Sequence, residues 1–173
     1  IILINRPILY KPYYRFIRSR VSIDIRGGWV VTKYYFAFNV YADPIAAGAE
    51  FNRIYSNLLR EIFPDKAFRL KRISLICRAN TNPGDEVEFG VFRNVESYKA
   101  GTEEYALTAG VIWFRVFTKV QADGQDESWN ADIEFPEGIE FDKDDSLNIR
   151  CRALNSAAAD RRAEWLWILE VEV

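Results

Sequence analysis

The sequence predicts an all-β protein: an eight-stranded antiparallel β-sandwich of the Greek-key or jelly-roll kind, with one inserted helix and an extended N-terminal arm. Three observations carry this. The stretch Val111–Val120, V-I-W-F-R-V-F-T-K-V, alternates with a period of two. Similar alternation recurs in most of the later segments, which turn residues separate. Aromatic residues, 12 Phe, 9 Tyr and 5 Trp among 173, favour strands. In the first of these segments Ile112, Phe114, Val116, Thr118 and Val120 share one face, which is expected to be buried. Trp113, Arg115, Phe117 and Lys119 share the other, which would still display large aromatics.

Residues 1–20 form the arm in this reading. Arg6, Lys11, Arg15, Arg18 and Arg20 occur there without a single acid, and Pro7 and Pro12 remove backbone donors. Tyr10, Tyr13, Tyr14 and Phe16 make the segment too aromatic for a solvated tail. It is expected to dock on its own domain, on a neighbouring subunit or on an anionic polymer. The remainder, residues 21–173, is the sandwich domain.

Val21, Ile23 and Ile25 alternate with polar residues, and Gly27-Gly28 provides a hairpin turn. The next strand, Trp29 to about Tyr41, is apolar on both parities and therefore central or covered. Asp43 and Pro44 then make a helix start, and Phe51, Ile54, Tyr55, Leu58, Leu59 and Ile62 follow helical spacing until Pro64. A helix over about 44–63, lying outside the sandwich, is expected.

Phe68 to Ala79 changes parity near Lys71-Arg72, which a β-bulge explains. Asn80 to Asp85 is a turn, answered by Val87, Phe89 and Val91. After Val111–Val120 comes an acidic loop, then Trp129, Ala131, Ile133 and Phe135 alternate up to Pro136. Leu147 to Ala153 and Trp165 to Val173 complete the eight strands.

Few chemistries fit these residues. The chain has no His, the commonest general base and metal ligand, and two Cys without His cannot build a structural zinc site. Cys77 and Cys151 lie on apolar parities and read as buried free thiols; a disulfide would need their Cα atoms within about 7 Å. Asp142, Asp144 and Asp145 are a conceivable partial calcium site but fit plain turns better, as do Asp123, Asp126 and Glu127. No nucleophile motif or phosphate loop is visible. The expectation is a protein that is not an enzyme, with no cofactor and no metal. No apolar run approaches the ~18 residues that span a bilayer. There is no Met, even at position 1, so the chain is expected to begin inside a longer gene product.

Net charge is −2, unevenly spread. Residues 1–78 hold 14 Lys/Arg against 5 Asp/Glu (+9), and residues 79–173 hold 9 against 20 (−11). Such a division suits subunits meeting plus to minus, contact with a polyanion, or interleaving of both signs within one fold.

Eight strands, a helix after the second, a basic arm and a chain ending on its last strand resemble the single jelly-roll capsid proteins of viruses and phages. The stretch E-F-P-E-G-I-E-F-D-K-D-D-S-L-N-I-R, residues 134–150, is similar to their penultimate hairpin. The resemblance covers residues 21–173 as architecture. It implies a self-associating shell subunit located in a virion, with copies of itself and other shell proteins as partners. Tyr10, Tyr13, Tyr14, Phe16, Trp113 and Phe117 are then the candidate subunit-interface residues. Arg15, Arg18 and Arg20 are candidates for contact with nucleic acid or an acidic neighbour, although the arm is short and aromatic and suits an inter-subunit strap better. The alternative is an extracellular carbohydrate-binding module using Trp113 or Trp129.

Overall fold

The computed structural model describes residues 10–11, 14–26, 29–55, 59, 66–94 and 110–173, with side chains from Thr32 onward. The described residues form ten strands: β1 (Tyr10–Lys11), β2 (Tyr14–Arg26), β3 (Trp29–Ile45), β4 (Glu50–Tyr55), β5 (Phe68–Ala79), β6 (Glu86–Arg93), β7 (Val111–Thr118), β8 (Glu127–Phe141), β9 (Leu147–Leu154) and β10 (Arg161–Glu172). They form two antiparallel sheets, β1-β2-β3-β10-β5-β8 and β4-β9-β6-β7. From β3 onward the chain crosses between sheets at every connection except β6–β7. All eight expected strands are present. The parity change at Lys71 is a bulge: Leu70 pairs with Ile139 and Arg72 with Glu134, so β8 carries extra residues around Pro136.

The inserted helix is a correction. Asp43 and Pro44 lie within β3, and Glu50–Tyr55 is β4, running antiparallel to β9 from Glu50↔Leu154 to Tyr55↔Ile149. Residues 56–58 and 60–63 of the expected helix fall outside the described residues. No described residue is helical. The apolar spacing at 51, 54 and 55 fits a helix on its own, but β9 offers a complete backbone ladder on that side and the pairing prevails.

Within the expected arm, the backbone of Tyr14–Arg20 runs without a break into the rest of β2 and pairs with β3, from Tyr14↔Val40 through Arg20↔Tyr35. β1 adds two pairs, Tyr10↔Arg15 and Lys11↔Tyr14. Gly27-Gly28 lies outside the described residues, but Arg26 and Trp29 pair on either side of it.

The core lies between the sheets. Val40, Phe38 and Phe36 of β3 pair with Trp165, Trp167 and Leu169 of β10, which pair in turn with Cys77, Leu75 and Ile73 of β5. All of these side chains are buried. Val87, Phe89 and Val91 of β6 and Ile149, Cys151 and Ala153 of β9 close the core from the four-stranded sheet. Each large apolar side chain so buried contributes about 1.5–3 kcal/mol. Cys77 and Cys151 are free and buried, and the Trp167 indole donates a hydrogen bond to Cys151 Sγ at 3.4 Å.

The loops at one end of the sandwich are fastened to each other by side chains. Asn155 Nδ2 donates to the carbonyls of Ile45, Ala46 and Ala159 at 2.9–3.0 Å. Asp85 accepts from the Asn82 and Ser156 amides, and Asn80 Oδ1 accepts from the Arg162 amide. Lys119 is buried, and its ammonium donates to the carbonyls of Gln121 and Ala122 at 2.6 and 2.9 Å. No helix among the described residues is long and apolar enough to cross a membrane.

Candidate interaction surface at the β7 and β8 edges

β7 ends the four-stranded sheet and β8 ends the six-stranded one. Residues paired across an antiparallel ladder share a face. Val87 pairs with Phe117, Phe89 with Arg115 and Val91 with Trp113, and the β6 member of each pair is fully buried. Trp113, Arg115 and Phe117 therefore lie on the face turned toward the opposite sheet. This reverses the expected parity: Phe114 and Val116 are on the outer face, and Val116 is 42% exposed. Gly90 explains how an outer Phe is accommodated. The rings of Phe92 and Phe114 close over it, and a Cβ there would meet them at 2.6 and 2.9 Å.

The inward aromatics form a ladder from the core to the rim. Phe89 meets Trp167 edge-on at 6.0 Å, and Trp113 and Phe117 at 5.1 and 5.2 Å. Phe117 stacks in turn on Trp129 of β8, centroids 5.6 Å apart and planes at 13°. Trp113, Phe117, Trp129, Ile133 and Phe135 remain only partly buried, because no further strand covers this side of the sandwich among the described residues. Arg115 is exposed at the mouth of this seam and has no ion-pair partner among the described residues. Aromatics beside an unpaired Arg are the composition that protein interfaces favour.

The outer face of the six-stranded sheet is a second surface. Ile76 (53% exposed) and Ile168 (39%) border a shallow groove of about 300 Å³ that Ser74, Asn130, Asp132 and Leu166 also line. Asp132 accepts from Arg72 Nε at 2.7 Å and from Ser74 Oγ at 2.7 Å, and these donors hold its carboxyl down at about 2. On the other sheet Glu88 and Arg150 form an ion pair at 3.3 Å with both side chains nearly buried, while Arg152 joins Glu50, Glu86 and Glu88. Arg152 keeps the Glu50 carboxyl below the usual carboxylate range. Sequence reading missed this network, since charged residues alternating with Phe89 and Cys151 look like an ordinary solvated face.

The acidic loops serve the fold. Asp145 takes the Arg93 guanidinium, the Asn94 side-chain amide and the Asp142 backbone N–H, and sits at about 2. Asp123 pairs with Arg161 and Asp126 with Arg162, and Glu127 accepts the Val120 and Gln121 amides. Among the described residues no three metal-ligating side chains lie together. Of the arm candidates, Tyr13 lies outside the described residues, as do the side chains of Tyr10, Tyr14, Arg15, Phe16, Arg18 and Arg20. Trp113 and Phe117 are brought together by Phe89, and Trp129 joins them through Phe117.

No family model matches the chain, and no curated protein matches it. Among solved structures, one titled "CBM4 structure and function" is 12% identical with a TM-score of 0.34, over 86% of this chain and 73% of that one. A structure of infectious bursal disease virus, Gx strain, is 12% identical with a TM-score of 0.36, over 99% of this chain and 41% of that one. An arabinose-bound α-L-arabinofuranosidase is 7% identical with a TM-score of 0.31, over 93% and 23%. These are loose β-sandwich resemblances.

Proposed function

We propose that this chain is a structural assembly subunit, part of a virion shell or a similar particle, that associates with copies of itself and other shell proteins and catalyses no reaction. The observation that carries the reading is the open aromatic seam between β7 and β8, with Arg115 unpaired at its mouth among the described residues. Partly exposed Trp and Phe are costly to leave in water, and a neighbouring subunit is the cover that suits them. The strand order supports the finer fold assignment. Strands β3-β10-β5-β8 facing β4-β9-β6-β7, with the chain alternating between them, fit the order expected of a jelly roll.

Sedimentation of the chain at low and high salt tests the proposal. Discrete assemblies, weakened by Arg115→Glu, are expected; a single chain at every concentration would overturn it. The second reading is a carbohydrate-binding module, favoured by the partial exposure of Trp113 and Trp129. A monomer that binds glycans and loses them on Trp129→Ala would support that reading instead. Contact of Arg15, Arg18 and Arg20 with nucleic acid belongs to the first reading, and salt-sensitive binding of single-stranded nucleic acid would reveal it.

A further inference from the structure

We infer that the acidic edge strand β8 of one copy takes the basic edge strand β2 of a second copy, so that the six-stranded sheet continues from subunit to subunit. This rests on the assembly reading above and names the surfaces that meet. Among the described residues β8 is hydrogen-bonded only to β5, and its 15 residues include five acids and no Lys or Arg. β2 is at the opposite edge of the same sheet, with four Arg and one Asp in 13 residues. β1 covers only Tyr14 and Arg15 of it, leaving the edge from Phe16 to Arg26 unpaired among the described residues.

Charge selects the pairing. On β8, Asp132 and Glu134 share the single Arg72 and keep a net negative charge between them, so β8 against β8 would set like charges together, and β2 against β2 would do the same with Arg15, Arg18 and Arg20. Only the mixed contact brings opposite signs together. The straight part of β8, Glu127 to Glu134, lies before the bulge and is about 27 Å long at ~3.4 Å per residue, well within the length of β2. The six-stranded sheet is two strands wider than the other, and because Phe117 stacks on Trp129 the surplus is at the β1–β2 edge. A strand added beside β8 extends that sheet over the β7 edge and covers the seam. The contact uses two different surfaces, so it closes into a ring or grows into an open chain.

Two doubly reversed proteins test this. Asp132→Arg with Glu134→Arg turns the straight part of β8, Glu127 to Glu134, net basic like β2; Arg18→Glu with Arg20→Glu turns β2 net acidic like β8. Each alone is expected to sediment as a single chain where the wild type assembles, its apparent dissociation constant raised at least about tenfold, and an equimolar mixture is expected to assemble again. Thermal melts identify any variant that does not fold, in which case Glu134→Arg and Arg20→Glu singly replace the doubles. Variants that assemble alone like the wild type, or a mixture that stays dissociated, overturn the inference while leaving the assembly reading in place. A wild type that never assembles overturns both.

Discussion

Phe117 of β7 and Trp129 of β8 lie stacked across the gap between the two sheets, 5.6 Å apart and 13° from parallel. They are the outermost rungs of a ladder that begins at the buried Trp167. Because the outer rungs already touch water, removing them costs less than removing the inner one. Phe117→Ala should lose about 1–3 kcal/mol and Trp167→Ala about 3–5 kcal/mol, read from urea unfolding midpoints. Equal losses would contradict the ladder.

Gly90 supports the outer aromatic pair. A methyl group there meets the Phe92 and Phe114 rings below 3.0 Å, so Gly90→Ala should destabilise by about 1–3 kcal/mol. If Phe114→Ala in the same chain recovers part of that loss, the clash is with the ring. No recovery would place the strain elsewhere.

Burial holds both thiols far above their usual range, with desolvation the main cause for Cys77 and Cys151 alike, so both stay protonated. A water-soluble disulfide reagent should modify neither thiol in the folded chain and both after unfolding in urea. Rapid modification of the native protein would be the contrary result.

Asp145 gives the fold an acid limit. The Arg93 guanidinium, with Asn94 and the Asp142 amide, lowers its carboxyl to about 2, against about 3.9 unfolded. A depressed carboxylate stabilises above the unfolded value, and that contribution is lost as pH falls from about 4 through 2. Carboxyl carbon shifts should show Asp145 titrating near the lower value. Asp145→Asn should flatten the fall of the melting temperature over that window.

Most of the strand pattern was legible because period-two alternation survives in β5, β8, β9 and β10, where one parity is apolar. Two readings failed for lack of a partner in view. Phe51, Ile54 and Tyr55 satisfy a helical stripe and an edge strand alike, and only β9 distinguishes them. Val111–Val120 carries large apolar residues on both parities, and alternation assigned Ile112, Phe114 and Val116 to the inner face; pairing with the buried Val87, Phe89 and Val91 of β6 turns Trp113 and Phe117 inward instead. The aromatic seam shares that origin. Trp113, Phe117 and Trp129 could each be singled out in sequence, but their meeting depends on β7 and β8 being edges of different sheets.

Lys119 shows how one buried charge is kept. Its ammonium satisfies two loop carbonyls, so Lys119→Met should cost about 1–3 kcal/mol despite adding an apolar side chain. A neutral or stabilising outcome in thermal unfolding would mean that water replaces the ammonium.

The fastened loops have a consequence for how the sequence can vary. Asp85 in one connection holds the amide of Ser156 in another, and Asn155 beside it holds the carbonyls of Ile45 and Ala46 in a third. These connections are therefore not independent segments. An insertion into residues 80–85 loosens 155–160 as well, and the costs of changing Asp85 and Asn155 together will differ from their sum. Drift in any one of these loops is constrained by its neighbours, so they are expected to change in concert or not at all.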